Sequence, residues 1–154
     1  MTPVTEPRNA PENPDAGGPA LLLIVLGRML RERADAALRA DGLSLRHVSA
    51  LGHLAGRPGL SYSELARRAG VTVQSMQSTL AQLEERGAVE RRTEPGRGRT
   101  AQLHVTDTGS RLLGRGRAVL AEADQRLLDA VGPGHDLTGA LVRALGGLMA
   151  PVPR

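Results

Sequence analysis

The sequence predicts a mainly helical protein with one small β-hairpin, which is an α+β fold. Hydrophobic residues make up 40% of the 154-residue chain, yet Phe and Trp are absent and Tyr62 is the only aromatic residue. A core of this composition must be built from Leu, Val and Ala, which favours packed helices over a β-sandwich. The length fits one domain of ordinary size.

The N-terminal 19 residues predict a disordered tail, because they are rich in proline and carry three acidic residues against one arginine. They also lack the basic region of a secretory signal. The apolar run "ALLLIVLG" at 20–27 ends at Arg28. A membrane-spanning helix needs about 20 apolar residues, so we expect a protein of the cytoplasm that does not contact the membrane.

Two helices are predicted after this tail. Leucine and alanine recur at spacings of three and four over 22–38, which is the apolar stripe of an amphipathic helix that ends near Gly42. Ser44 is placed to cap a second helix, and Gly56 is placed to end it.

The next segment predicts two short helices joined by a tight turn. The run "SYSE" is a capping box in which Ser61 and Glu64 bond each other's amides, and it starts a helix that ends at Gly70. Thr72 caps the following helix, which ends at Gly87. Two helices in this arrangement form a helix-turn-helix. The apolar stripe of the second helix consists of Val73, Met76, Leu80 and Leu83.

Three interpretations are open for the stretch "RRTEPGRGRTAQLHVTD" at 91–107: a disordered basic linker, a phosphate-binding loop or a hairpin. The segment "GRGRT" lacks the lysine and the spacing of a Walker loop. Short runs with alternating apolar positions flank the turn residues "PGRGR", so a β-hairpin is the preferred interpretation.

A long helix and a final helix follow the hairpin. Thr106 is placed to cap the long helix, and the sequence Gly132-Pro133-Gly134 separates it from the last one. Gly114 and Gly116 lie inside the long helix. These two glycines either permit the close approach of another helix or are simply tolerated.

Positive charge is concentrated near the predicted hairpin. The net charge is only +4, and every basic residue is an arginine. Five of these arginines lie between positions 86 and 99, where only two glutamates oppose them. Such a patch predicts an anionic partner. The five are Arg86, Arg91, Arg92, Arg97 and Arg99.

The second helix of a helix-turn-helix enters the major groove of DNA, where its outward side chains contact base edges. The face opposite the apolar stripe is polar and uncharged. Gln forms two hydrogen bonds with adenine, and Ser can form a hydrogen bond with any base. Ordinary surface helices carry the same residue types. The candidate base-reading residues are Thr72, Gln74, Ser75, Gln77, Ser78 and Gln82.

Over about 20–150 the sequence strongly resembles the MarR (multiple-antibiotic-resistance regulator) family of winged helix-turn-helix transcription factors. The stretches that carry the resemblance are "DGLSLRHVSALGHLAG", "LSYSELARRAGVTVQSMQSTLAQLEERGAVERR" and "GRGRTAQLHVTDTGSRLL". The last is the most specific, because the family has a wing arginine seven residues before the Thr of a Leu-Thr-x-x-Gly-like element. Arg99, Thr106 and Gly109 occupy these positions.

The resemblance implies a homodimeric repressor that binds a pseudo-palindromic operator in double-stranded DNA. It divides a single domain, 20–150, into dimerisation helices over 20–42 and 107–150 and a DNA-binding lobe over 44–106. The wing would enter the minor groove. Besides the five arginines between 86 and 99, phosphate contacts are expected from Arg67 and Arg68.

Two departures from the family pattern alter this expectation. Family wings commonly carry an acid two residues before the wing arginine, where this chain has Arg97. Family recognition helices often carry arginines where this chain has Ser78 and Gln82. We therefore expect greater dependence on the wing and on phosphate contacts, and an operator that differs from those of relatives.

An enzyme is not expected, because the four histidines do not pair at metal-ligand spacing, the chain has no cysteine, and no catalytic motif is present. We expect no cofactor and no metal. The resemblance does imply a pocket for an anionic or phenolic effector, with Arg28, His47 and His53 as candidate lining residues. The alternative function is a winged-helix dimer that serves as a protein-interaction module without specific DNA binding.

Overall fold

Within residues 17–92 and 102–149, which the computed structural model describes, the chain forms six α-helices and one antiparallel pair of strands. A short 3-10 turn, Arg39–Asp41, follows the first helix. The elements are α1 (Pro19–Leu38), α2 (Leu45–Gly56), α3 (Tyr62–Ala69), α4 (Val73–Glu85), β1 (Val89–Arg92), β2 (Gln102–Val105), α5 (Asp107–Val131) and α6 (Leu137–Met149). The predicted fold class is confirmed.

Helix α1 begins at Pro19, so the predicted tail over 1–19 extends too far along the chain. Proline suits the first position of a helix because its missing N–H would have no partner there and its φ is already helical. Gly18 precedes it in an extended conformation. The part of the predicted tail over 1–16 lies outside the described residues.

The core lies between α2, α3, α4 and the strands, and leucine dominates it. Seven leucines are completely enclosed. Helix α2 is central, since it packs against α3, α4, α5 and β2. The enclosed leucines are Leu38, Leu51, Leu54, Leu65, Leu80, Leu83 and Leu103.

The predicted apolar stripe of α4 is correct except at its first residue. Met76, Leu80 and Leu83 are buried, whereas Val73 is 42% exposed. Side chains on a helix point back towards its N-terminus, so the side chain of the first residue projects beyond the helix and away from the core. Thr79 is buried beside the stripe and donates a hydrogen bond to the Ser75 carbonyl.

The two strands pair in one register, with Val89 opposite Val105 and Arg92 opposite Gln102. Leu103 turns inward and is fully buried. The predicted hairpin is therefore confirmed at its base. Its tip over 93–101 lies outside the described residues.

Helix α5 is held against the start of β1 by its N-cap. The Thr106 hydroxyl accepts from the Gly109 amide at 3.1 Å and donates to the Gly87 carbonyl at 2.6 Å. A Cβ at Gly109 would lie 2.7 Å from Val105 Cγ1 and closer still to the Ala88 carbonyl. Only glycine fits this approach of helix to strand, which gives the Thr-x-x-Gly element a structural reason.

The two glycines inside α5 have different surroundings. A Cβ at Gly116 would lie 2.9 Å from Val48 Cγ1 and closer to Cγ2, so this glycine lets α5 approach α2. Gly114 has no atom within 4 Å of an added Cβ and is exposed. Gly116 therefore permits the close approach of another helix, whereas Gly114 is simply tolerated.

Two helices carry apolar side chains that the rest of the chain leaves uncovered. In α1, Leu21 is 55% and Ile24 is 69% exposed, and in α6, Val142 is 62% and Leu148 is 87% exposed. Helix α6 has no buried residue. Among the described residues no helix is both long and apolar enough to cross a membrane.

We expect Gly116→Ala to lower the free energy of unfolding by about 1–3 kcal/mol, because the added methyl overpacks the contact with Val48. Gly114→Ala is the matched control, and we expect it to raise that free energy by up to ~1 kcal/mol through helix propensity. Urea unfolding of both variants at one protomer concentration measures this. Equal effects of the two substitutions would contradict the assigned close approach.

Candidate nucleic-acid interface

Helix α3 is fixed at both ends by hydrogen bonds, and the turn to α4 follows its second end. The Ser61 amide donates to Glu64 Oε2 at 2.9 Å, and the Glu64 amide donates back to Ser61 Oγ at 3.3 Å, so the predicted capping box is present. The bonds that the Ser61 amide and then the Ser61 hydroxyl donate to Glu64 Oε2 lower the pKa of the Glu64 carboxyl. At the other end, Gly70 takes a left-handed φ of +66° and the Thr72 hydroxyl accepts from the Ser75 amide. The two helices are therefore held as a helix-turn-helix.

The polar face of α4 lies at the surface, as the sequence predicted. Five of its six candidate residues are exposed, and Ser75 is half-buried. A groove of about 460 Å³ runs beside this face and is bordered on its other side by the start of α2, at Ser44, Arg46 and His47. The exposed residues are Thr72, Gln74, Gln77, Ser78 and Gln82.

A charged cluster joins the base of the hairpin to α4. Arg91 Nε donates to Glu84 Oε1 at 2.9 Å, and its guanidinium carbon lies 5.2 Å from the centre of the Tyr62 ring. The Tyr62 hydroxyl donates to the same Glu84 oxygen at 3.0 Å. The hydrogen bonds from Arg91 lower the pKa of the Glu84 carboxyl, while burial raises the pKa of Tyr62. Tyr62, the only aromatic residue, thus joins α3 to the contact between α4 and β1, a role that the sequence did not predict.

The predicted phosphate-binding arginines differ in their environments. Arg67 and Arg68 are exposed on the last turn of α3. Arg86 lies over Gly42, with Nη1 3.4 Å from the Asp41 carbonyl, and Arg92 pairs with Glu90 at 2.7 Å. Their phosphate contacts, and that of Arg91, stay predictions. Arg97 and Arg99 lie outside the described residues.

His47 connects the start of α2 to α4. The Ser44 amide donates to His47 Nδ1 at 3.1 Å, and His47 Nε2 lies 2.8 Å from Gln82 Oε1. The residue is 8% exposed. Desolvation by burial lowers the pKa of the imidazole, the Gln82 bond opposes this, and the nearby charge of Arg86 adds to it. His47 thus spans two elements, a contact that the sequence analysis did not predict.

The three predicted effector residues do not meet in one cavity. His47 borders the groove along α4, whereas the cavities beside α1 are bordered by Arg31 and Arg33 rather than by Arg28. One of these cavities, of about 260 Å³, lies between α1, α2 and α4 and is lined by Arg31 and Arg46 above Val71 and Met76. His53 is half-buried on α2 and borders none of these cavities.

A helix-turn-helix followed by a two-stranded hairpin is the winged helix-turn-helix of DNA-binding proteins. The family model described as "MarR family" matches residues 41–100. The HTH-type transcriptional repressors Rv2887 of Mycobacterium tuberculosis and Mb2911 of Mycobacterium bovis are each 42% identical over 107 residues, which is 70% of this chain and 77% of theirs.

Solved structures agree with this relationship. Rv2887 in complex with DNA is 34% identical with a TM-score of 0.70, and the match covers 87% of this chain and 99% of that one. In the structure of Rv2887 with salicylic acid, the sequence identity is 36% and the TM-score is 0.67. The match covers 88% of this chain and 98% of that one. MepR of Staphylococcus aureus shares the fold, with 18% sequence identity and a TM-score of 0.71. That match covers 86% of this chain and 100% of the MepR chain. The chain belongs to the MarR family, a family of transcriptional regulators.

We expect the stability of the protein to fall as pH drops below about 6.5, because the pKa of His47 is lower in the folded than in the unfolded chain. The unfolded chain then binds a proton that the folded chain excludes. The His47→Gln variant lacks this contribution of residue 47 to the pH dependence of stability. The free energy of unfolding of the variant should therefore decrease less between pH 7.5 and pH 5.5 than that of the wild type. Urea unfolding at fixed protomer concentration tests this, and identical pH dependence would contradict it.

Proposed function

We propose that the protein is a homodimeric repressor that binds a pseudo-palindromic duplex through α4 and the wing. The observation that carries this proposal is the exposed, polar and uncharged face of α4 on a rigid helix-turn-helix. Rv2887 is named a repressor and has been solved with DNA, which supports the same role here. A repressor acting on a promoter would work in the cytoplasm.

In this proposal α4 lies in the major groove, which is about 12 Å wide, and its glutamines contact base edges. Gln74 and Gln77 are exposed and have no side-chain hydrogen bond within 17–92 and 102–149, so each keeps both a donor and an acceptor for a base. Ser78 extends the same face. Arg67 and Arg68 are exposed at the end of α3 and would contact phosphates.

The wing would supply the second contact with DNA. The Arg91–Glu84 pair fixes the base of the hairpin relative to α4, so a tip that carries Arg97 and Arg99 would extend from a defined origin. Arginine suits a narrow minor groove, where the negative potential is strongest. These contacts should make binding strongly dependent on salt.

The uncovered faces of α1 and α6 support the dimer. Many exposed leucines and other large apolar residues on two helices are unusual for a monomer, and a second copy of the chain would cover them. The division into helices for dimerisation, over 20–42 and 107–150, and a DNA-binding lobe over 44–106 follows from this arrangement. Two lobes would then place two α4 helices in successive major grooves about 34 Å apart.

The cavity lined by Arg31 and Arg46 suggests how an effector would act. Rv2887 has been solved with salicylic acid and with p-aminosalicylic acid. An aromatic carboxylate fits a cavity with two arginines over an apolar floor, and Ser75 and Met76 of α4 are among its lining residues. A ligand there would shift the position of α4 to the extent that it binds the two arrangements differently.

We expect Gln77→Ala to reduce discrimination between the selected operator and random duplex by about 1–3 kcal/mol, because a side chain that contacts one base pair is lost. Gln125→Ala on the exposed surface of α5 is the control of identical chemistry. The operator is first selected from a random duplex library, and both duplexes are then titrated at two salt concentrations. The protein-interaction alternative predicts that no sequence is enriched, and an equal loss on both duplexes would make Gln77 a phosphate contact.

We expect salicylate to weaken operator binding by the wild-type protein, and Arg31→Gln to reduce this effect strongly. Arg28→Gln is the matched control. The sequence predicted Arg28 as a residue of the effector pocket, whereas Arg31 lines the cavity in the structure. The titration is repeated with and without salicylate. A response that survives Arg31→Gln but disappears in Arg28→Gln would assign the effector to the pocket that the sequence predicted.

A further inference from the structure

We propose that His47 fixes the orientation of the Gln82 carboxamide, so that Gln82 offers N–H donors to DNA and selects base edges that accept hydrogen bonds. This inference rests on the proposed function, because it assigns a preference to one residue of the reading helix. His47 does not contact DNA in this scheme and is a positioning residue.

The orientation follows from a backbone group that can only donate. The Ser44 amide donates to His47 Nδ1 at 3.1 Å, so this nitrogen carries a lone pair and no proton. In a neutral imidazole the proton then lies on Nε2. Nε2 is 2.8 Å from the Gln82 side chain, so the atom of Gln82 that faces it must be the acceptor, Oε1. The Ser44 hydroxyl lies 3.2 Å from the same nitrogen and can donate to it as well, so the bonds from Ser44 to Gln82 have one consistent direction.

The neutral ring is favoured by the surroundings of His47. The residue is buried at the N-terminus of α2, and Arg86, which follows α4, places a positive charge near it. Protonation of Nδ1 would also set two N–H groups against each other at Ser44. The direction of the hydrogen bonds is therefore stable at neutral pH.

The two N–H groups of the Gln82 amide remain for a ligand. Gln82 is exposed and borders the groove together with Ser78 and Gln74, which lie one and two turns earlier, respectively, on the same face. In the major groove, guanine O6, purine N7 and thymine O4 accept hydrogen bonds, whereas cytosine N4 and adenine N6 donate. Gln82 should disfavour a cytosine amino group at the position that it faces. A glutamine without a fixed orientation can rotate its amide and accept either partner.

The test compares the base preferences of four forms of the full-length protein: wild type, His47→Gln, Gln82→Ala and the double variant. His47→Gln keeps a residue type that completes a capping box at this position, but its amide can donate or accept. Each form is used to select binding sites from a random duplex library. We expect one position per half-site to lose a preference of about two- to tenfold in Gln82→Ala, in line with one hydrogen bond. The same position should lose its preference in His47→Gln, and the double variant should change it no further.

An independent measurement keeps the inference testable without DNA. Long-range ¹H–¹⁵N spectra of histidine side chains report which ring nitrogen carries the proton, and His47→Gln assigns the signal. We expect the proton on Nε2; a proton on Nδ1 would overturn the inference, whatever the protein binds. Unchanged preferences in His47→Gln, or a uniform loss in Gln82→Ala that indicates a phosphate contact, would also overturn it. Failure of the wild-type protein to enrich any sequence would instead overturn the proposed function.

Discussion

The burial of one face of α4 is the constraint on which the rest of the structure depends. Leu80 and Leu83 are completely enclosed against α2 and α3, in a core that has leucine in place of aromatic residues. Because a helix that buries one stripe must expose the opposite one, the hydrophobic effect itself presents the glutamines and serines of α4 to solvent. The face that we propose to contact base edges is thus a consequence of core packing and requires no separate stabilisation.

Connections around α4 extend this constraint to the whole lobe. Glu84 binds Arg91 of β1, and the Thr106 cap joins α5 to the residues just before β1. Helix α5 in turn packs closely on α2 through Gly116, and Arg115 pairs with Asp41 after α1. A displacement of α1 and α5 at a dimer interface would therefore be transmitted to α4 through contiguous packed elements, which is the physical requirement for regulation by a ligand that binds beside α1.

The sequence predicts backbone features better than contacts between elements. The Ser61 capping box, the Thr72 and Thr106 caps and the hairpin depend on residues three or four apart or on alternation, so they are visible without a fold. The bonds from His47 to Gln82 and from Tyr62 to Glu84 join residues 35 and 22 positions apart. Such contacts depend on how the helices cross, which periodicity does not specify. The exposure of Val73 has the same origin, since a stripe does not indicate where the core ends.

The pairing of His47 with Gln82 also explains a departure from the family pattern. The family resemblance implies an arginine at the position of Gln82, but a guanidinium has no acceptor for the Nε2 proton of His47. If Nε2 gave up that proton, Nδ1 would carry it and would lose the bond from the Ser44 amide, which caps α2. An arginine at 82 would therefore leave a buried donor unpaired or weaken a helix start, and glutamine avoids both. The loss of a positive charge from the reading helix is, on this view, tied to the presence of histidine at position 47.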